Sequence, residues 1–177
     1  PIPNAQRNEV SSVYQFNSRK LAAYIDSLNA EVFDEGYKIY GALNVNARNF
    51  EVELRRAEQK IEHGIVGFLT QPVLTQEAVE NLAKARERLS AKILGGIIPV
   101  VSEKNARFMD SEVNGIRVSE EIISQYVGKN REEGEQLAVE ISFDMAKKIK
   151  PYIDGYYLIT PFNRVALMEK IIEGLRE

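Results

Sequence analysis

The sequence contains no cysteine and only one histidine among its 177 residues. Without cysteine there is neither a disulfide framework nor a thiolate metal site, and one histidine excludes a zinc site built from several imidazoles. The apolar runs are of strand length, far short of the roughly 20 residues that cross a bilayer. No signal peptide is visible. We therefore expect a cytoplasmic protein that has no metal site and no membrane segment.

A basic surface is also missing. The net charge is −3 and the isoelectric point lies near 5.5, with no basic run along the chain. Such a charge does not suit binding to a phosphate backbone, so we expect no nucleic-acid partner. The hydrophobic content of 44% is ordinary for a globular protein and is enough for the core of one domain.

The feature that the sequence does have is a repeated type of strand end. Four apolar segments each run into small polar residues or proline, and a helix follows. The segments are 40–43, which leads into Asn44 and Asn46; 65–69, which leads into Thr70 and Gln71; 93–98, which leads into Pro99; and 156–159, which leads into Thr160. This pattern is typical of the carboxyl-terminal rim of a (β/α) barrel, where such folds hold their chemistry.

Strands and helices alternate along the whole chain. The predicted strands are 38–43, 65–69, 92–98 and 156–159. The predicted helices are 18–28, 50–62, 75–89, 104–109, 119–126, 131–149 and 165–175. Alternation at this spacing indicates a parallel sheet. We therefore predict an α/β fold, a partial (β/α)8 TIM barrel that comprises about the last four βα units, with extra helices after the third strand.

The length of the chain supports a partial barrel. A complete barrel typically needs about 250 residues. Residues 1–16 have no periodicity and include Pro1 and Pro3, which is typical of a loop or linker. We expect residues 1–177 to form one unit, the carboxyl-terminal half of a barrel, with a missing amino-terminal half-barrel as its partner. Since an open four-stranded sheet exposes its edges, association of two copies into a homo-oligomer is the alternative.

In order and spacing, the strand-end motifs closely resemble methylenetetrahydrofolate reductase. The segments concerned are 41–49 (GALNVNARN), 56–64 (RAEQKIEHG), 68–73 (FLTQPV), 95–100 (GGIIPV) and 155–161 (GYYLITP). They are most similar to the carboxyl-terminal reductase part of bacterial bifunctional proteins, which carry a homocysteine S-methyltransferase module. The resemblance implies an FAD-dependent TIM barrel oxidoreductase that reduces 5,10-methylenetetrahydrofolate to 5-methyltetrahydrofolate with NAD(P)H, in one-carbon metabolism and methionine biosynthesis.

The family's amino-terminal half supplies an acidic proton donor and a Gly-Asp flavin motif, and neither is found in this chain. The resemblance therefore implies no catalytic residue in this half, and a fragment that is inactive without its partner. Two alternatives remain open. One is a non-catalytic half-barrel that binds folate or another pterin, and the other is a self-associating structural fragment.

On the substrate side, the resemblance points to Gln71, Asn105, Phe108 and Arg164. The Gln71 amide can donate and accept together, which suits the mixed edge of a pterin; its alternative role is to cap the next helix. The family favours Gln at the position of Asn105. Phe108 can stack on a flat heterocycle or belong to the core. The pair Pro161-Phe162 can shift Arg164 by one residue against the family pattern.

On the cofactor side, the resemblance points to Lys60, Asn44, Asn46, Phe16 and Tyr157. The Lys60 ammonium can pair with the FAD diphosphate or with a reduced isoalloxazine, or it can lie on a solvated helix face. Asn44 and Asn46 can bond ribityl hydroxyls, although asparagine is also common in loops. Phe16 matches a family aromatic near the flavin, and its alternative is a hydrophobic staple.

Overall fold

The structure is a computed structural model that describes residues 16–161 and 163–176. Apart from Phe16, the predicted loop or linker therefore lies outside the described residues. The strands are β1 (Ile39–Leu43), β2 (Ile65–Pro72), β3 (Lys92–Ile97) and β4 (Gly155–Leu158). The helices are α1 (Ser18–Glu31), α2 (Phe50–Ile61), α3 (Gln76–Arg88), α4 (Glu103–Glu112), α5 (Glu120–Gln125), α6 (Arg131–Ile149) and α7 (Val165–Arg176), and a short 3-10 helix covers Lys150–Tyr152.

The four strands form one sheet in the order β1-β2-β3-β4, and every neighbouring pair is parallel. A helical connection links each strand to the next, as parallel pairing requires. The connection from β3 to β4 contains α4, α5 and α6. The predicted α/β fold, with a parallel four-stranded sheet, alternating βα units and extra helices after the third strand, is confirmed.

Side-chain caps place the starts of most helices. Asn49, Thr75, Ser102 and Ser119 each accept a backbone N–H from the first turn of the helix that follows. Asn130 begins α6 with a reciprocal capping box. Such residues satisfy amides that the helix itself leaves without partners. Local chemistry therefore explains why the predicted helices start within one residue of the observed ones.

The core lies between the sheet and the helices. Leu43, Phe68 and Ile93, which point to the helices, are fully buried. The other face of the sheet carries Tyr40 and Tyr157, each of which is 39% exposed. Residues paired across parallel strands share a face. The register therefore places on this open face the side chains of β2 and β3 that lie in line with these two tyrosines across the sheet.

Two kinds of feature are missing from the residues that the structure describes. No helix among them combines the length and the apolar character that a bilayer crossing requires. Their His, Asp and Glu side chains do not gather in groups of three that could hold a metal ion.

Candidate functional site

The strand β2 extends to Pro72, three residues beyond the predicted end at 69, and its pairing with β3 is irregular between Leu69 and Pro72. There the hydroxyl of Thr70 accepts the N–H of Gly96 at 2.8 Å and donates to the carbonyl of Gln71 at 2.9 Å. A side chain therefore replaces a backbone carbonyl in the ladder. Such bulges frequently lie beside active sites and change the direction of a side chain, here that of Gln71.

Gly96 is the residue that makes room for this irregularity. A Cβ at position 96 would lie 2.8 Å from the carbonyl oxygen of Thr70 and 3.0 Å from that of Gln71. These are backbone atoms, which cannot rotate away as a side chain does. The close approach therefore requires glycine on the neighbouring strand.

Gln71 and Asn44 both lie beside Gly115 at the carboxyl-terminal rim of the sheet. Gly115 lies in the loop between α4 and α5 with φ +84°. A Cβ placed there would be 3.5 Å from Cγ and Cδ of Gln71 and 3.4 Å from Nδ2 of Asn44. Both side chains are partly exposed. Two amide groups, each able to donate and to accept, are therefore close together at this rim.

Asn46, which the resemblance assigns to the flavin, uses its amide for structural contacts. Its Nδ2 donates to the carbonyl of Pro72 at 3.1 Å and to that of Gly115 at 2.9 Å. Its backbone N–H is bound by Oδ1 of Asn44 at 3.0 Å, and the Asn44 N–H donates to Glu53 at 3.1 Å. Both amide hydrogens of Asn46 are thus engaged, and its role as a flavin ligand stays a prediction.

Lys60 reaches from α2 to the edge strand β1. Its Nζ donates to the carbonyl of Ala42 at 2.7 Å and lies 5.9 Å from the centroid of the Phe68 ring. Burial of the ammonium lowers the pKa of Lys60 below 10.5; Glu53 opposes this shift and Arg56 adds to it. The side chain is therefore not on a fully solvated helix face.

Three cations share one cavity of about 280 Å³ at this edge. It is lined by Asn17, Ser18, Arg19, Glu53, Arg56 and Lys60. Among the described residues of the lining, Glu53 is the single carboxylate, and it lies 3.9 Å from Arg56. Arg19, Arg56 and Glu53 were not among the site residues predicted from the sequence. The spacing of Glu53, Arg56 and Lys60 at intervals of three and four residues could have indicated a common helix face.

The other predicted substrate residues make contacts elsewhere in the fold. Asn105 is 9% exposed, and its Oδ1 accepts the N–H of Val101 at 3.1 Å, so the side chain braces the loop after β3. Arg164 forms an ion pair with Glu135 of α6. Phe108 is 51% exposed on α4. The structure provides no direct test of folate binding by any of the three.

The remaining cofactor candidates are aromatic. Phe16 stacks on Tyr24 of α1 with 5.8 Å between ring centroids. Tyr157 lies on the open face of the sheet, where it is paired with Gly96. The assignment of both rings to the flavin stays a prediction.

Comparison with known families bears on the whole chain. The model of the family described as methylenetetrahydrofolate reductase matches residues 2–176. The chain belongs to the methylenetetrahydrofolate reductase family. The comparison with curated proteins gave no match.

A solved structure has a similar fold. It is an uncharacterized protein from Clostridium thermocellum, described as binding two copies of 5-methyl-5,6,7,8-tetrahydrofolic acid. The TM-score is 0.58 at 16% identity, over 92% of this chain and 59% of that one. At this identity the likeness concerns the fold alone. The chain spans 59% of the length of that neighbour, which is less than two thirds.

Proposed function

We propose that the chain is part of a flavin-dependent oxidoreductase that converts 5,10-methylenetetrahydrofolate into 5-methyltetrahydrofolate with NAD(P)H, and that it supplies the folate-binding wall of the site. The observation that carries this proposal is the bulge in β2, which directs Gln71 to the rim beside Asn44 and Gly115. The methylenetetrahydrofolate reductase family membership provides the substrate class.

On the substrate side, the Gln71 amide donates to and accepts from the pterin edge, and so orients the folate. Phe108, Asn105 and Arg164 remain candidates for outer contacts with the same substrate. Arg164 would first have to leave Glu135, its partner in the structure.

On the cofactor side, the donor set around Lys60 fits an anionic diphosphate. Lys60, Arg56 and Arg19 face one cavity in which Glu53 is the one carboxylate among the described lining residues. We propose that these cations hold the diphosphate of FAD. When bound, FAD supplies the hydride-transfer chemistry between nicotinamide and folate. The chain's own residues bind the cofactor and the folate and orient them.

The proposal includes a second half-barrel as partner. The open face of the sheet, with Tyr40 and Tyr157 exposed, and the outer edges of β1 and β4 support this partner. The proton donor and the flavin loop would belong to that half, so the chain alone would be inactive. The context of a homocysteine S-methyltransferase module and the cytoplasmic location stay predictions.

Calorimetric titration of the chain with 5-methyltetrahydrofolate tests the folate-binding wall, and measurable heat is expected. For the redox function, a protein that contains both halves should purify with flavin absorbance. It should also oxidise NAD(P)H in the presence of 5,10-methylenetetrahydrofolate. Failure of that protein to bind flavin at saturating FAD would overturn the reductase proposal.

A second candidate is folate binding without turnover. It is favoured by the structural neighbour, whose description names bound 5-methyl-5,6,7,8-tetrahydrofolic acid and no reaction. In that case the protein with both halves would bind folate but would not reoxidise reduced flavin with it. A self-associating fragment is the third candidate. Light scattering that reports a monomer at all concentrations excludes it.

A further inference from the structure

We infer that Asn46 is a positioning residue of the folate site, whose carboxamide clamps the loop between α4 and α5 against Gln71. This inference rests on the proposed function, since it assigns a supporting role to a residue that would not contact the folate itself.

One amide joins three segments that are distant in sequence. The Nδ2 of Asn46, which follows β1, donates to the carbonyl of Pro72 at 3.1 Å and to the carbonyl of Gly115 at 2.9 Å. Pro72 immediately follows Gln71, and a Cβ added at Gly115 would lie 3.5 Å from Cγ and Cδ of Gln71, so the loop passes beside that side chain. The same group therefore holds the backbone on one side of Gln71 and the loop on the other.

The orientation of the Asn46 amide follows from its neighbours. Both contacts of Nδ2 are carbonyl oxygens, so exchanging Nδ2 and Oδ1 would place three acceptors together. In the orientation present, Oδ1 is buried without a hydrogen-bond partner among the described residues. Burial of an unpaired acceptor is unfavourable. The fold tolerates it where the two donated bonds hold the rim together.

The segment that carries Asn46 is itself rigid. Oδ1 of Asn44 binds the Asn46 N–H at 3.0 Å. Between them, Val45 is fully buried, and its carbonyl accepts Nδ2 of Asn81 at 3.0 Å. Asn81 is 4% exposed on α3. Asn46 is thus presented from a fixed backbone, which a clamp requires.

The loop needs a tether at its tip. Ile116 and Val118 are buried and anchor the part that leads to α5, and the Ser119 N–H donates to the carbonyl of Leu74 at 3.3 Å. Gly115 precedes these anchors and adopts φ +84°. With the tip held, the Gln71 side chain has fewer rotamers to lose on binding, and this preorganisation favours affinity.

Asn46→Asp tests the clamp, because it removes both donated hydrogens at nearly constant shape and places a carboxylate opposite two carbonyls. The matched control is Asn49→Asp, which adds the same charge at the N-cap of α2, where aspartate caps as well as asparagine does. Amide hydrogen exchange is read over residues 113–118. We expect faster exchange there in Asn46→Asp and no change in Asn49→Asp. Unchanged exchange over residues 113–118 in Asn46→Asp overturns the clamp. This measurement needs no ligand.

Titration with 5-methyltetrahydrofolate tests the effect on Gln71. We expect Asn46→Asp to raise Kd about tenfold, comparable to the loss of one or two neutral hydrogen bonds. In a Gln71→Ala background the same substitution should change Kd very little, because its effect passes through Gln71. Full additivity of the two substitutions overturns the positioning role.

Two further outcomes remain distinct. Asn46→Ala removes the amide without adding charge and should show the same pattern. If Asn46→Asp does not fold, unchanged exchange over residues 113–118 in Asn46→Ala overturns the clamp. Absence of folate binding by the unchanged chain overturns the proposed function and the positioning role together. The exchange measurement then still decides whether Asn46 holds the loop.

Discussion

The two faces of the sheet differ in how they are completed. On the helix face, Leu43, Phe68 and Ile93 are fully buried by helices of the same chain. On the open face, Tyr40 and Tyr157 keep 39% of their surface exposed. Both faces are largely apolar, yet the chain covers only one of them among its described residues. The helix face is therefore a core that this chain completes alone, whereas the open face is an apolar surface that the described residues leave uncovered.

The open face alternates large and small residues between neighbouring strands. Tyr40 pairs with Gly67, where a Cβ would come within 2.5 Å of the tyrosine ring, and Tyr157 pairs with Gly96. Barrel interiors are filled by such alternating side chains. The pattern therefore supports the proposal that more strands, rather than a layer of helices, cover this face.

The largest expected effect is the loss of a buried ring from the helix face. Phe68→Ala should lower the free energy of unfolding by about 3–5 kcal/mol, because it removes a filled core position. Tyr157→Ala on the open face is the matched aromatic deletion and should cost about 1 kcal/mol or less, since its surface is already partly hydrated. Urea denaturation measures both. Equal losses would show that the open face is covered in solution.

Gly96→Ala should cost about 1–3 kcal/mol, because the new methyl group meets two carbonyl oxygens of β2 and must displace the bulge. The control is Gly155→Ala on the same face. There the nearest atom is Cδ2 of Leu94 at 3.2 Å, the end of a flexible side chain. Thermal melts compare the two. If Gly155→Ala lowers the melting temperature more than Gly96→Ala does, the close approach of β2 carbonyls to Gly96 does not limit stability.

Gln71→Ala should cost about 1 kcal/mol or less in stability, since the side chain is partly exposed at the rim. It should weaken 5-methyltetrahydrofolate binding by roughly 0.5–1.5 kcal/mol for each neutral hydrogen bond lost. Gln76→Ala, at an exposed glutamine of α3, is the control. A variant that melts early but retains normal affinity per folded molecule would make Gln71 a scaffold residue.

The smallest expected effect is a pH dependence at Lys60. Burial lowers the pKa of Lys60 below 10.5 in the folded chain. Between that lowered pKa and 10.5 the unfolded chain holds more protons at this residue, so Lys60 makes stability rise with pH there. Lys60→Met should remove this rise. The free energy of unfolding of the wild-type chain, measured in urea relative to that of Lys60→Met, should therefore increase as pH rises toward 10.5.

Lys84→Met, at an exposed lysine of α3, controls for the loss of a positive charge. If the stability of the wild-type chain relative to Lys60→Met instead falls as pH rises, the attraction of Glu53 for the Lys60 ammonium outweighs the effect of burial on its pKa. The side chain would then be better described as one member of an ion pair at the edge of the sheet.

The fold was largely predictable from short-range patterns, and the site was only partly so. The predicted and observed bounds of α6 coincide at 131–149, since a capping asparagine and apolar residues spaced four apart are local signals. Gln71 was selected from its place after an apolar strand together with the family resemblance. The extension of β2 to Pro72 was missed, because its irregular pairing depends on Gly96 of another strand.

The predicted ligand roles of Asn46, Asn105 and Arg164 show where sequence reasoning ends. Each side chain is polar and follows a strand, as a rim ligand would. In the structure Asn46 is engaged by Gly115, 69 residues away, and Arg164 by Glu135, 29 residues away, while their ligand roles stay predictions. Asn105 binds a backbone amide four residues before it, which a local reading could have considered.

The sequence by itself determined the alternation of strands and helices, the helix starts and the family, because caps and apolar periodicity act over a few residues and family motifs keep their order. Only the tertiary structure decided which polar groups at the rim are free and which are consumed by the fold. A hydrogen bond forms between groups that meet in space. The carbonyls bound by Asn46 lie 26 and 69 residues away along the chain.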